Sequence, residues 1–356
     1  MNILGVDTGG TFTDFVLLQD GHLRVHKVLS TPDAPERAIL DGIRDLQLDS
    51  SKQTLYVIHG STVATNAVLE NKGVPTVFIT NRGLADMLTI GRQARKQLYN
   101  LQPEPQTPPV PKSYCLETGG RLSADASIVE PLSEVDITIL LEQIEQLKPA
   151  AVAINLLFSF LDDNFECRIA AAIPHSIYVS RSSQILPECK EYERGIATWL
   201  NASVGPLMST YLNNLCNELQ RQYTGVSSVS IMQSSAATVS AETAALRAVN
   251  MLLSGPAGGL VGAQYVAQVA GKQRLLTFDI GGTSTDVALV DGDLNLTTEG
   301  HIGGYPVAVP MVDMHTIGAG GGSIASIDVG GLLKVGPASA GASPGPACYG
   351  LGGREA

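Results

Sequence analysis

Positive charge is scarce in this chain. Its 23 Lys and Arg stand against 34 Asp and Glu, a formal net charge of −11. A surface of that sign repels nucleic-acid backbones and anionic lipid headgroups, so neither nucleic acid nor membrane is an expected partner. An anionic ligand must instead be met by local donors and a metal. Cysteine is sparse too: Cys115, Cys167, Cys189, Cys216 and Cys348 are scattered, with no Cys-x-x-Cys. An odd, dispersed set fits reduced thiols better than a disulfide framework. No apolar run approaches the ~18 residues of a membrane span. The first strand begins at once, without the basic and apolar regions of a secretory signal. The expected location is the cytoplasm.

Glycine, by contrast, is abundant. The 37 glycines concentrate in the last third of 356 residues, and 44% of the residues are hydrophobic. That length accommodates two or three domains with a large core. One glycine pattern occurs twice. Asp7-Thr8-Gly9-Gly10-Thr11-Phe12-Thr13-Asp14 and Asp279-Ile280-Gly281-Gly282-Thr283-Ser284-Thr285-Asp286 share Asp-x-Gly-Gly-Thr-x-Thr-Asp. Each copy lies between apolar runs, which predicts strand, tight turn, strand.

The repeat carries a definite chemistry. Paired glycines bend the backbone and let a ligand approach its N–H groups, which form a nest for phosphate oxygens. The hydroxyls of Thr8, Thr11, Thr13, Thr283 and Thr285 add donors. Asp7 and Asp279 repel phosphate, but suit a hydrated Mg²⁺ held by few carboxylates plus substrate phosphates. The plain alternative is a polar turn used twice.

The rest of the chain alternates strands and helices, the mark of an α/β fold. Strand His22–Leu29 follows the first hairpin. Ile39, Ile43 and Leu46 stripe a helix, and Leu55–Ile58 form a strand ending at His59. His59 is then either a substrate-side donor or metal ligand at a strand terminus, or a histidine satisfied by nearby backbone. Arg82, Arg92, Arg95 and Lys96 form a local basic stretch, either a clamp for a carboxylate or phosphate or a solvated face. Pro103 to Pro111 is an extended loop. A capping box at Ser133–Asp136 opens a helix. Strands at 150–157 and 176–180 flank a helix at 164–173, closing a first unit, 1–180. Helix 189–219 is expected to break at Gly205-Pro206, and its Glu188, Glu191, Glu193 and Arg194 are either surface pairs or a buried general base. Strand 226–233, then loop and helix over 238–249, lead to Gly255–Gly259 before a helix at 260–270. Those glycines either receive a phosphate or allow close packing. Segment 181–272 would complete the first half. Region 273–356 would begin a second, with Gly320, Gly321 and Gly322 in a loop near the nucleotide. Asp313 and His315, two apart on a strand, are a weak candidate pair for a second divalent metal.

Two such hairpins facing each other resemble the actin, sugar-kinase and heat-shock-70 superfamily of ATPases. Within it the chain resembles the hydantoinase A and 5-oxoprolinase family, which includes acetone-type carboxylase subunits. The matching segments are the two hairpins, His59–Ala67, Leu186–Glu188 with Glu191–Arg194, Ser254–Gly259 and His315–Ser323. The resemblance implies an actin-like α/β ATPase with ribonuclease-H-like halves. The second half is expected to be incomplete, because few residues follow Asp286. It also implies Mg·ATP as cofactor, a cyclic amide or related carbonyl as substrate, and a B-type partner subunit. The activity would be ATP-dependent hydrolysis, or carboxylation, through a phosphorylated carbonyl. Asp7 and Asp279 would act at the metal, His59 and Arg92 on the substrate side, and the hairpins and Gly320–Gly322 on ATP. Rival readings are a nucleotide-driven switch, a sugar kinase and an inactive truncated member.

Overall fold

The computed structural model describes residues 2–9, 12–31, 34–48, 54–94, 99, 101–102, 107–223, 225–281, 285–340, 345–350 and 352–353. The first hairpin, β1 (Asn2–Thr8) and β2 (Phe12–Gln19), continues into β3 (His22–Leu29). Helix α1 (Pro35–Asp45) leads to β4 (Leu55–Ser61) and α2 (Val63–Leu69). Then come β5 (Thr76–Asn81), β6 (Cys115–Thr118), α3 (Glu134–Leu147), β7 (Ala151–Asn155), α4 (Asn164–Ala172) and β8 (Tyr178–Arg181). The long α5 (Glu191–Gln222), β9 (Val226–Met232), β10 (Thr238–Ser240), α6 (Ala241–Leu246) and α7 (Ser254–Val269) follow. The second hairpin is β11 (Arg274–Ile280) and β12 (Thr285–Asp291). After it lie β13 (His315–Ile317), β14 (Ser323–Ile327) and β15 (Leu333–Ser339).

Three sheets organise these elements. The first has six strands in the order β10-β9-β4-β1-β2-β3, with β1, β4 and β9 parallel. The second has the order β8-β7-β5-β6. The third, β11-β12-β13, is antiparallel. The first sheet therefore spans the boundary expected at residue 180: β9 pairs with β4 across the whole second sheet, an insertion between them. Periodicity finds strands; it does not say which sheet each joins.

Other differences have local causes. Helix α5 runs unbroken through Gly205-Pro206 for 32 residues. A proline removes one i→i−4 bond, but this helix is packed between the first two sheets, with Leu200, Met208, Leu212 and Leu215 buried along it. Helix α7 starts at Ser254, so Gly255 to Gly259 lie inside its first turns. Residues 238–240 form an edge strand, and 333–339 pair with β14. The capping box holds, with Asp136 N–H donating to Ser133 Oγ at 3.1 Å. No helix of the described residues is long and apolar enough to cross a membrane.

The second half is tied to the first. Gly300–Ile302 pairs with Tyr305–Val307, and Ile302, Val307, Val309 and Met311 join the main core beside α5. Trp199 meets Tyr305 edge-on, with ring centroids 5.2 Å apart. Helix α7 packs on β4 and β9 on one side and on β11 and β12 on the other.

Candidate nucleotide site

Both hairpins are ladders with the aspartates in matching places. Asp7 lies directly opposite Asp14, and Asp279 opposite Asp286. Like charges opposite one another on a strand pair are destabilising, and here the arrangement occurs twice. Asp14 is relieved by Lys27 Nζ at 2.9 Å, and Asp286 accepts from Thr316 Oγ1 at 2.6 Å. Among the described residues no Lys or Arg pairs with Asp7. Its carboxyl is held above the usual carboxylate range, first by burial, then by Asp14 and by Asp279. That influence of Asp279 makes the two hairpin aspartates neighbours in space.

Asp7 is also closely framed. Register sets it beside Gly60 of β4. A Cβ at Gly60 would stand 3.1 Å from Asp7 Oδ1, and one at Gly255, in the first turn of α7, 3.3 Å away. Either methyl would have to displace the carboxylate. The chain around it is locked: Ser254 Oγ donates to Ser61 O (3.0 Å), Leu253 N–H to Thr65 Oγ1 (2.9 Å), and Thr62 Oγ1 to Thr8 O (3.0 Å). Three segments distant in sequence (the first hairpin, 59–66 and 254–259) thus converge on one carboxylate.

The threonines act differently from the expectation. Thr8, Thr13 and Thr285 are buried, because strand alternation turns each to the face opposite its neighbouring aspartate. Thr13 Oγ1 lies 3.0 Å from Ser30 Oγ, which donates to Gly9 O at 2.7 Å. Thr285 Oγ1 donates to Ala319 O at 2.6 Å, and Gly321 N–H to Gly281 O at 2.9 Å. In both copies, then, the second threonine and the first glycine's carbonyl are braced by residues just past the third strand. Gly9 N–H closes its own turn on Phe12 O. Gly10, Thr11, Gly282 and Thr283 lie outside the described residues. The loop of Gly320, Gly321 and Gly322 sits against the second hairpin. Gly320 N–H donates to Ser323 Oγ, and Gly322 O accepts from Ala340 N–H.

His59 is not at the cleft. It lies on the inward face of β4 with Leu55 and Val57 and is fully buried. Both its ring nitrogens have partners, Val6 O and the Tyr211 hydroxyl. Burial pushes its pKa down to about 4. Arg92 is already engaged: Nε and Nη2 grip both oxygens of Glu193 at 2.8 and 2.6 Å. Arg82 pairs with Glu130 and Asp136, while Arg95 and Lys96 lie outside the described residues. Asp313 precedes β13 rather than sharing a strand with His315, and both are exposed. Among the described residues no three His, Cys, Asp or Glu gather as a metal cage. Arg194, grouped in the sequence with Glu188, Glu191 and Glu193, is fully buried and donates to Asn155 Oδ1, Glu188 O and Leu156 O. Sequence reasoning missed Tyr211, whose only signal was its place in an apolar helix.

The donor set fits a magnesium ion. It is hard oxygen, with uncompensated like charges facing one cleft and too few ligands to enclose an ion without phosphates. Asp7 and Asp279 are the residues that would hold it, directly or through water.

Comparison with known proteins bears on the whole chain. The hydantoinase/oxoprolinase N-terminal region matches residues 3–177, and the hydantoinase/oxoprolinase domain matches 194–356. The caprolactamase alpha subunit of Pseudomonas jessenii is 34% identical over 99% of this chain and 52% of its own length. The acetophenone carboxylase gamma subunit of Aromatoleum aromaticum is 31% identical, over 100% and 52%. The 5-oxoprolinase of Saccharomyces cerevisiae is 32% identical, over 98% and 30%. Among solved structures, the ATP-dependent caprolactamase superposes with a TM-score of 0.83 over 99% of this chain and 53% of the other, at 34% identity. Nucleotide-free acetone carboxylase gives 0.81 over 95% and 51%, at 27% identity. The chain spans about half the length of the nearer curated relatives and about a third of the oxoprolinase. It has the actin-like ATPase fold and belongs to the hydantoinase/oxoprolinase family.

Proposed function

We propose that this chain is the ATP-binding part of an ATP-dependent cyclic-amide hydrolase. The observation that carries the reading is the pair of repeated hairpins, placed so that Asp279 of the second adds to the raised pKa of Asp7 in the first. Two neighbouring carboxylates, with no Lys or Arg paired to Asp7 among the described residues, suit a metal-bound polyphosphate. Phosphoryl transfer needs positioning and charge neutralisation more than covalent help from the protein. The γ-phosphoryl group would pass from ATP to the amide carbonyl oxygen, breaking the bond to the β-phosphate oxygen and releasing ADP. Water would then add to the activated carbon, the ring C–N bond would break with a proton passing to the departing nitrogen, and a second water would hydrolyse the resulting acyl phosphate to carboxylate and phosphate.

In this scheme Asp7 and Asp279 position the metal ion, which would neutralise charge on the transferring group. Gly60 and Gly255 keep the space beside Asp7 open. The braces from Ser30 and from Ala319 and Gly321 hold each hairpin tip toward the nucleotide, and the loop of Gly320 to Gly322 takes the adenosine side. The substrate side is left to a B-type partner subunit, in keeping with relatives that are themselves named as subunits.

The test is calorimetric titration of the chain with Mg·ATP, with Asp279→Asn as control. ATP hydrolysis is then assayed with cyclic amides and a co-expressed partner. Binding that survives unchanged in the variant would sink the assignment. A second reading, carboxylation of a related carbonyl, is favoured by the superposition on acetone carboxylase. Stimulation of ATP turnover by bicarbonate plus a ketone, and not by lactams, would select it.

A further inference from the structure

On the face of β4 opposite Asp7 lies a buried polar cluster that the scheme above does not use. His59 is fully enclosed, with Nδ1 3.3 Å from Val6 O and Nε2 2.6 Å from the Tyr211 hydroxyl. A carbonyl only accepts, so Nδ1 carries the proton and donates it to Val6. Nε2 then accepts from Tyr211 O–H. The imidazole is thereby held neutral in one tautomer. Tyr211 comes from the middle of α5 and is itself buried. Its oxygen is also flanked by the hydroxyls of Ser61 and Thr8. Thr8 Oγ1 is buried and reaches no partner at hydrogen-bond geometry.

Val6 and Thr8 are the two residues that flank Asp7. Along the same face of β4, Leu55 and Val57 are apolar. A buried imidazole and phenol cost desolvation that their mutual hydrogen bond only offsets, and an apolar pair of similar shape would be no worse for stability. Placement supplies a reason for the polar choice. The cluster grips β1 from behind at the point where the strand presents Asp7 to the cleft.

We propose that His59 and Tyr211 are positioning residues that set the height and direction of the Asp7 carboxylate toward a magnesium–nucleotide complex, without touching substrate. This rests on the ATP reading above. It assigns His59 to the hairpin rather than to the substrate side.

The experiment is a double-mutant cycle read by ATP affinity with Mg²⁺ and in EDTA, with Tm measured on every variant. Tyr211→Phe keeps the ring and deletes the hydroxyl. It is expected to melt within a few degrees of wild type and to bind ATP in EDTA as wild type does. It should lose about tenfold of the affinity gained on adding Mg²⁺, the scale of outer-shell effects at metal sites. Because the hydroxyl acts through Asp7, Tyr211→Phe added to Asp7→Asn should cost nothing further. His59→Gln, which can still donate to Val6 and accept from Tyr211, should keep most of the Mg²⁺ gain, whereas His59→Leu loses it. Equal losses with and without Mg²⁺, a full gain in Tyr211→Phe, or equal behaviour of the Gln and Leu variants overturns the proposal. A wild-type chain with no Mg²⁺-dependent ATP binding overturns the ATP reading itself, and the proposal with it.

Discussion

The two hairpins share six motif positions yet live in different surroundings. The first has one face embedded, while Phe12, Val16 and Leu18 on the other are 43%, 44% and 37% exposed. Leu4, Val6, Phe15 and Leu17 are buried, β3 follows through a tight turn at Asp20-Gly21, and α1 and α5 cover the sheet. The second is bare on one side. Leu276, Phe278 and Ile280 are 64%, 62% and 63% exposed, and its third strand arrives only after the excursion through residues 292–314. The second threonine and the first glycine's carbonyl are braced in both, by the Ser30 side chain in the first and by the backbone of Ala319 and Gly321 in the second. Those motif positions therefore serve the hairpin's own geometry, which must be kept whether or not the sheet behind it is covered. In the proposed scheme the leading aspartates serve the nucleotide instead.

Core substitutions should separate the two hairpins most. Phe15→Ala removes a fully buried ring and should cost about 3–5 kcal/mol, while Phe278→Ala should stay within about 0.5 kcal/mol in this chain. Urea melts of both variants check this, and equal losses would mean that the second sheet is covered in solution.

Acid should act through the first hairpin. His59 has a folded pKa of about 4 against an ordinary 6.5, so the unfolded chain takes up its proton first. The stability tied to neutral His59 is present above pH 6.5 and is lost as pH falls through 4. That amounts to about 3 kcal/mol over the window. Tm against pH for wild type and His59→Gln measures it, and an unchanged slope in the variant contradicts the placement of His59.

Asp7→Asn should weaken Mg·ATP binding on the order of 100-fold, an effect as large as loss of a supporting metal-site group. In the ligand-free protein the same change should raise Tm at neutral pH. A raised Asp7 pKa means that the fold disfavours the carboxylate: its contribution is full below the unfolded pKa and declines as pH rises through the folded one. A ligand-free Asp7→Asn that melts lower would break this link between site and stability.

The braces should differ least. Thr13→Val leaves Ser30 short of a buried partner and should cost about 1–2 kcal/mol. Thr285→Val leaves Ala319 O without its equally part-buried donor and should cost about the same. Denaturation midpoints of the two variants decide it.

Much of this was legible in the residues. The repeated eight-residue pattern, flanked by apolar runs, specified two hairpins, with Asp7 and Asp279 at matching places in them. Strand β3, helix α1 and the capping box of α3 also follow from local signals. Other features were not legible. Periodicity alone does not show that β9 leaves the insertion and returns to β4, because parallel pairing is decided by packing across some 170 residues. The unbroken α5 overrides a Gly-Pro signal through tertiary burial. Helix α7 takes the glycines into its first turns, and Gly255 lets it approach Asp7.

The fate of the polar candidates depended wholly on three-dimensional neighbours. His59, Arg92 and Arg194 are equally polar in sequence. One became a buried support for the first hairpin, one a surface pair with Glu193, and one a buried donor to three oxygens. The sequence determined by itself the hairpins, their charges and the family, since these are written in short-range patterns of residue type. Tertiary structure decided which face each side chain meets and which distant segments close around Asp7, because burial and hydrogen-bond partners are properties of assembled elements.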